Sequence, residues 1–298
     1  MSLVVRVSTV LTGMRKGRND RVFTKHGTRQ DKYLSISNKD MLVRGCGSMD
    51  VWKFYDIRHR WHLLCNPMGR EKFERLCALL KLERGSHVLD IACGKGEFLI
   101  RLAELYDTSG VGVDISPYCI RDCLEKHRKR VPDSDIRFIE MDGADYKPEA
   151  NELFDLAMCI GASWVYGGYR GTIQALKKMT RPDGLIMVGE PFWLKEPSEE
   201  YLKAEGTRRE DFGTHYDNVK IGEEEGLTCI YTLASNYGDW DHYETLQWWA
   251  VDDYRRANPD DPDNSELTNR SEKEVYIRWG RETLSWAIYL FRHGHSFL

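Results

Sequence analysis

Apolar residues recur every three to four positions over Glu71–Leu80, at Phe73, Leu76, Cys77, Leu79 and Leu80, which predicts an amphipathic helix. A short, continuously apolar run follows at His87-Val-Leu-Asp-Ile-Ala92 and predicts a strand covered on both faces. The pattern then alternates. Helical periodicity over Glu97–Tyr106 gives way to a strand at Gly110–Ile115. Pro117 opens a helix reaching Arg130, since proline is tolerated where the first-turn N–H has no partner anyway. Further strands are predicted at Asp135–Met141, Phe154–Ile160 and Leu185–Glu190, with a helix over Tyr169–Thr180 and a turn at Arg181-Pro-Asp-Gly184. Short apolar strands alternating with helices of ten or more residues are βαβ units, and these build a parallel sheet.

After Glu190 the rhythm changes. Residues 191–226 read as helical and polar, Leu227–Ser235 as a strand, Trp240–Ala257 and Glu266–Arg281 as helices, and Leu284–Arg292 as the last strand. The expected fold is α/β: a Rossmann-like, seven-stranded, mostly parallel sheet with helices on both faces. A helical cap over about 193–282 would cover the carboxyl edge of the sheet, where open α/β sheets bind ligands.

Composition narrows the classes. Of the 298 residues 41 % are hydrophobic and 30 % charged, as in globular domains. No apolar run approaches the roughly 18–20 residues of a membrane helix. The net charge is −4, but it is unevenly placed. Residues 1–48 hold ten Lys/Arg and three Asp, so the remaining chain sums to −11. This basic leader is read as a disordered or mis-started segment in preference to a nucleic-acid arm. Its Arg-rich, acid-poor composition also resembles a transit peptide. The domain proper would span 49–298, with its core at about 70–195. The acidic body argues against a nucleic-acid partner and favours a small molecule. Oligomeric state is not legible. The eight cysteines form neither CxxC pairs nor a zinc spacing. No metal site is expected, and reduced thiols point to a cytoplasmic setting.

The chemistry sits at strand ends. Asp90-Ile-Ala-Cys-Gly-Lys-Gly96 closes the first strand with glycines that let backbone approach a ligand. A GxGxxG dinucleotide fingerprint fails, because Leu99 stands where the third glycine belongs. Asp114 ends the second strand 24 residues after Asp90, where an acid can accept from both hydroxyls of a ribose. Met141-Asp-Gly-Ala144 and Ile160-Gly-Ala-Ser163 follow strands three and four.

These pieces, in this order, resemble the class I S-adenosylmethionine (SAM)-dependent methyltransferases, with Asp90–Gly96 as motif I. Gly161–Gly168, Gly189–Trp193, Trp240–Glu244, Ala257–Asp260 and the His59/His62 pair near Asn66-Pro67 look like a bacterial subgroup of that family without assigned substrates. The resemblance implies SAM and a small acceptor. It implies that Asp90, Ala92, Gly94 and Gly96 shape the methionine and ribose pocket. Asp114 and Ile115 would meet ribose, Asp142 and Gly143 adenine, and Ile160 the methionine part. A base is needed only where the acceptor has a proton to lose. The candidates are Glu190, at the end of strand five, and His59 and His62, one turn apart on a short helix over the cofactor, with His242 weaker. Trp164, Trp193 and Trp240 are expected to border the cleft, where aromatic faces attract cations. Trp248 and Trp249 are expected in the core. Cys93 and Cys159 raise the idea of a thiol cluster of the kind used for arsenic, but three converging thiols are not evident. The rival readings are an NAD-dependent oxidoreductase and a non-catalytic SAM- or RNA-binding protein.

Overall fold

The computed structural model describes residues 49–267 and 270–294. The basic leader and Cys46 lie outside the described residues. Helix α1 (Val51–Arg58) starts at Asp50, whose carboxylate accepts from Lys53 N at 2.7 Å. Helix α2 (Arg70–Leu80) buries Phe73, Leu76, Cys77 and Leu80, one helical stripe. The alternating series follows: β1 (His87–Ile91), α3 (Glu97–Tyr106), β2 (Ser109–Asp114), α4 (Pro117–Arg130), β3 (Ile136–Glu140), β4 (Phe154–Ile160), α5 (Tyr169–Met179) and β5 (Thr180–Trp193). Then come α6 (Glu199–Glu205), α7 (His215–Glu224), β6 (Leu227–Ala234), α8 (Tyr237–Ala257), α9 (Asn264–Leu267), α10 (Arg270–Val275), α11 (Arg281–Thr283) and β7 (Leu284–His293).

The seven strands form one sheet in the order β3-β2-β1-β4-β5-β7-β6. Strands β1 to β5 pair in parallel, and β7 runs antiparallel between β5 and β6. The winding direction reverses between β1 and β4. At such a switch point the loops leaving two adjacent strands diverge and open a crevice at their carboxyl ends.

Side chains alternate between two cores with the period of two that a strand imposes. In β4, Leu156, Met158 and Ile160 enter the layer built with Phe73 and Leu76 of α2 and Phe98 and Leu102 of α3. Phe154, Ala157 and Cys159 enter the opposite layer, with Ile173 and Leu176 of α5. In β7, Trp286, Ile288 and Leu290 face one layer and Ala287, Tyr289 and Phe291 the other. Burial on both faces is why these strands read as unbroken apolar runs.

Four boundaries differ from the periodicity. Strand β5 extends to Trp193, so the segment expected to turn helical at 191 is still sheet, held by pairing of Pro191, Phe192 and Trp193 with β7. The expected turn at Arg181–Gly184 is an irregularity inside β5, between Thr180 opposite Phe154 and Leu185 opposite Leu156. Helix α1 stops at Arg58, leaving His59 as its C-cap and His62 in the turn beyond. The helix expected over Glu266–Arg281 is broken into short pieces, with a π-turn at Tyr276–Gly280.

Gly96 shows how tightly the first loop is packed. Its φ is +70°, and an added Cβ would lie 2.8 Å from Cys123 Sγ and 2.9 Å from Phe138 Cε1. Gly96→Ala combines left-handed strain with overpacking. The expected loss of stability is about 2–4 kcal/mol by denaturant unfolding, with the transition slope unchanged.

Candidate functional site

The crevice between β1 and β4 is a real cleft, about 1360 Å³ with its solvent mouth included. Its floor is the loop after β1. Ala92 holds a positive φ of 56°, and Gly94 follows at 53°. Strain of this kind in a non-glycine residue persists only where surroundings impose it. Here one constraint is Asp114. One carboxylate oxygen accepts from Gly94 N and the other from Ser116 N, both at 2.8 Å. One side chain thus ties the β1 loop to the start of α4. Burial nonetheless pushes its carboxyl up to about 6, the amide hydrogen bonds opposing that rise.

Asp90 lies beneath the same loop, 2 % exposed, with Oδ1 unpartnered among the described residues. Burial first, and the Asp114 charge second, hold its carboxyl well above the usual range. Two buried carboxyl groups facing one cleft, one with an orphaned oxygen, call for a ligand that donates hydrogen bonds and carries positive charge. An amino acid ammonium and a pair of ribose hydroxyls have that chemistry. On the β3 side, Asp142 caps a short turn by accepting from Ala144 N at 3.0 Å. Gly143 follows it, and a Cβ there would lie 2.7 Å from Ile91 Cγ2.

The roof comes from α1 and the segment after it. Trp52, Tyr55 and His59 line the cleft, followed by Leu63, Leu64 and Asn66. Asn66 donates to the Ile160 carbonyl at 3.2 Å and lies so close to Gly161 that a Cβ there would meet its Nδ2 at 2.4 Å. The roof is clamped at both ends. Arg58 bonds Gln247 of α8 at 2.8 Å and Glu272 of α10 at 2.5 Å. Lys95, from the glycine loop, donates to the His59 carbonyl at 2.7 Å.

Of the residues singled out in the sequence, Asp90, Ala92, Gly94, Asp114, Ile115, Asp142, Gly143, Ile160, His59 and Trp164 line this cleft. Five others do not. Gly96 packs against α4 and β3. His62 is one layer behind His59, with Nε2 on the Tyr243 carbonyl at 2.9 Å. Glu190 is buried with Oε2 unpartnered, and burial pushes its carboxyl up to about 8 against a hydrogen bond from Ser163. Trp193 is core, between Tyr201 and Phe212, its Nε1 donating to the Arg209 carbonyl at 2.9 Å. Trp240 packs edge-on against Tyr243 beside a separate small cavity. The strand extension explains Trp193: three more residues of sheet carry its side chain past the cleft edge into the core. Beyond the site, His242 is exposed, and Trp249, expected in the core, is 63 % exposed. Trp248 is partly buried against the core.

Sequence reading passed over Trp52, Tyr55, Lys95 and Tyr243. The available signal was the aromatic run at 52–55, which lies far from the glycine motif in sequence and meets it only through the fold. The thiols also gather more than their spacing suggests. Cys65, Cys93 and Cys119 line the cleft, and Cys123 donates to the Gly94 carbonyl from behind. Burial raises the Cys65 thiol to about 11, which keeps it protonated. Among the described residues no group of three or more His, Cys, Asp or Glu is placed to hold a metal ion. No helix among them is long and apolar enough to cross a membrane.

Comparison with known proteins agrees with this geometry. The sequence profile of the methyltransferase domain family matches residues 88–184. The protein YjhP of Escherichia coli strain K12 is 30 % identical over 247 residues, covering 81 % of this chain and 98 % of YjhP. A SAM-dependent methyltransferase from Thiobacillus denitrificans, solved in complex with S-adenosyl-L-homocysteine, superposes with a TM-score of 0.75 at 31 % identity, over 81 % of this chain and 98 % of that one. The 27-O-demethylrifamycin SV methyltransferase of Amycolatopsis mediterranei is 27 % identical over 140 residues, 47 % of this chain and half of that protein. With the glycine loop, the paired strand-end acids and a sheet of this order, these matches lead to one conclusion: the chain belongs to the class I SAM-dependent methyltransferases, and SAM is its cofactor.

Proposed function

We propose that this methyltransferase acts on a small-molecule acceptor held under the α1 roof, beside the loop after β4. The observation that carries the proposal is the composition of the cleft. Its floor presents carboxylates and glycine backbone, whereas its roof presents Trp52, Tyr55, Leu63 and His59, with Trp164 on the side wall. Two chemically distinct halves suit two ligands. When bound, SAM supplies an electrophilic methyl group on a sulfonium.

The chain's own residues bind and orient. Asp90 would take the methionine ammonium on its unpartnered oxygen. Asp114 would accept from the ribose hydroxyls while still holding Gly94 N and Ser116 N. Ile115, Asp142 and Gly143 would frame adenine, and Ala92, Gly94 and Ile160 the methionine side. The buried roof excludes water and fixes the angle of approach, which is most of what an in-line displacement needs. Helix α8, which receives Arg58 through Gln247, would hold the roof down as part of a cap over 193–282. Trp164 would give an aromatic face to the acceptor. The name of the rifamycin methyltransferase supports a small-molecule acceptor, because that protein's own substrate is one. Seven free thiols among the described residues support a reducing, cytoplasmic setting.

The test is a panel of hydroxylated, amino and thiol acceptors supplied with SAM, followed by release of S-adenosylhomocysteine and by product mass. Release that requires one acceptor class supports the proposal. Methylation of protein or RNA with no turnover of any small molecule would overturn it.

A further inference from the structure

The polar groups behind the roof indicate what kind of acceptor fits. His59 is 3 % exposed, and neither ring nitrogen has a partner among the described residues. Behind it, the buried Nδ1 of His62 and the hydroxyl of Tyr243 are also unpartnered. The three rings are mutual neighbours: centroids lie 4.8 Å apart for His59 and His62, 5.6 Å for His59 and Tyr243, and 5.0 Å for His62 and Tyr243. Because His62 Nε2 meets a carbonyl oxygen, it carries the proton, and Nδ1 is a bare lone pair.

Orphaned polar groups this deep cost free energy unless a ligand satisfies them. His59 is the member that faces the cleft. Desolvation lowers its basicity first, and the neighbouring His62, Arg58 and Lys95 act in the same direction, so it is neutral in neutral solution. A neutral imidazole offers one N–H donor and one acceptor lone pair.

The groups packed around His59 are specific. They are Tyr55 on its own helix, His62 beyond it, Tyr243 from α8, Lys95 from the glycine loop and Arg58 next in sequence. The fixed cations among them are paired, Arg58 with Glu272 at 2.5 Å and Lys95 with Asp122 at 3.5 Å. Asp56, on the cleft side of α1, is engaged by Arg121 at 3.0 Å. An ammonium here would only donate and would leave the imidazole N–H facing it. A carboxylate would only accept and would leave a lone pair facing it. A neutral hydroxyl both donates and accepts.

We infer that the acceptor is a neutral hydroxyl compound of the phenol or enol class, its O–H seated against His59 and its flat body between Trp52, Tyr55 and Trp164, and that it is methylated on oxygen. This rests on the proposed acceptor site under α1. The proton balance is simple. As an oxygen electron pair forms the new O–C bond, the hydroxyl proton becomes strongly acidic and passes to the free lone pair of His59. The electron pair of the breaking C–S bond stays on the departing sulfur. The imidazolium then releases its proton to solvent.

The experiment compares para-cresol with its matched amine, para-toluidine, and its matched acid, para-toluate. Each is titrated into the full chain saturated with S-adenosylhomocysteine, for wild type and for His59→Ala. The expected result is at least about tenfold preference for the phenol in wild type, lost in the variant. The variant should keep its circular dichroism and its S-adenosylhomocysteine affinity. Equal binding of the three probes, or preference for the amine or the acid, would overturn the inference. So would a tenfold loss of S-adenosylhomocysteine affinity in His59→Ala, which would assign His59 to the cofactor. Wild type that binds S-adenosylhomocysteine but none of the probes would refute the phenol pocket while leaving the methyltransferase assignment standing. Preference for the phenol with no small-molecule turnover would instead count against the proposed function.

Discussion

Asp114→Ala should abolish adenosyl-ligand binding at concentrations where wild type is saturated. Asp114 performs two tasks at once: it accepts from Gly94 N and Ser116 N, each at 2.8 Å, and it presents the same carboxylate to the cleft. Hydrogen bonds to a charged group contribute about 1.5–3 kcal/mol each. Losing the two ribose contacts proposed for it would therefore weaken binding by at least about 100-fold, at 1.4 kcal/mol per tenfold. Releasing Gly94 adds to this, since the loop no longer keeps its ligand-ready shape. Isothermal titration with S-adenosylhomocysteine measures the effect. Asp114→Asn is the informative companion: its amide oxygen can keep one backbone bond but cannot serve both amides and a ribose. Its affinity should fall between wild type and alanine. Unchanged affinity in the alanine variant would remove Asp114 from the cofactor site.

A second large effect concerns stability. Glu190 is fully buried beside Ser163, one carboxyl oxygen unpartnered, and its folded-state pKa is raised from 4.5 to about 8. An acid whose pKa is higher in the folded state binds its proton more tightly there. Its contribution therefore destabilises the fold increasingly as pH rises from 4.5, and levels off above 8. Removing the ionisable group relieves this cost. A shift of that size corresponds to about 4–5 kcal/mol, at 1.36 kcal/mol per unit. Unsatisfied amide hydrogens in Glu190→Gln offset about 1–2 kcal/mol of it. The variant should thus be more stable than wild type by about 2–4 kcal/mol in mildly alkaline buffer, with the difference shrinking toward pH 5. Urea unfolding across that range measures it. Because Glu190 does not line the cleft, S-adenosylhomocysteine affinity should not change. A gap that does not depend on pH would show that Glu190 is ionised without cost in the fold. A collapse of S-adenosylhomocysteine affinity would return it to the site.

The difference between cleft and core was legible in some residues and not in others. Asp90, Gly94, Asp114 and Asp142 were recognisable because each sits at the carboxyl end of a predicted strand, and a parallel sheet brings all such ends to one edge. Trp193 and Trp240 looked equivalent to Trp164 by composition and neighbourhood. Their fates were set by three residues of additional sheet at the end of β5 and by the face of α8 on which Trp240 falls. The Glu190 carboxyl likewise ends up behind the Ser163 turn, because β7 pairs along β5 past that point.

Gly96 marks the same limit within a motif. Its place beside Gly94 suggested ligand contact, yet Cys123 and Phe138 occupy the space its missing side chain leaves. Nothing local in the sequence distinguishes a glycine that admits a ligand from one that admits a neighbouring helix.

The sequence by itself determined the βαβ rhythm, the parallel sheet and the strand-end acids, because these follow from local periodicity and from residue types at element termini. Tertiary structure alone decided which side chains meet the cleft from elsewhere in the chain. His59 reaches Tyr243 across 184 positions, and Lys95 reaches the His59 carbonyl across 36. Such contacts depend on how α1 and α8 fold over the sheet edge, and no pattern of neighbouring residues encodes that path. The floor of the site was therefore readable in advance. Its roof, and with it the chemistry of the acceptor, was not.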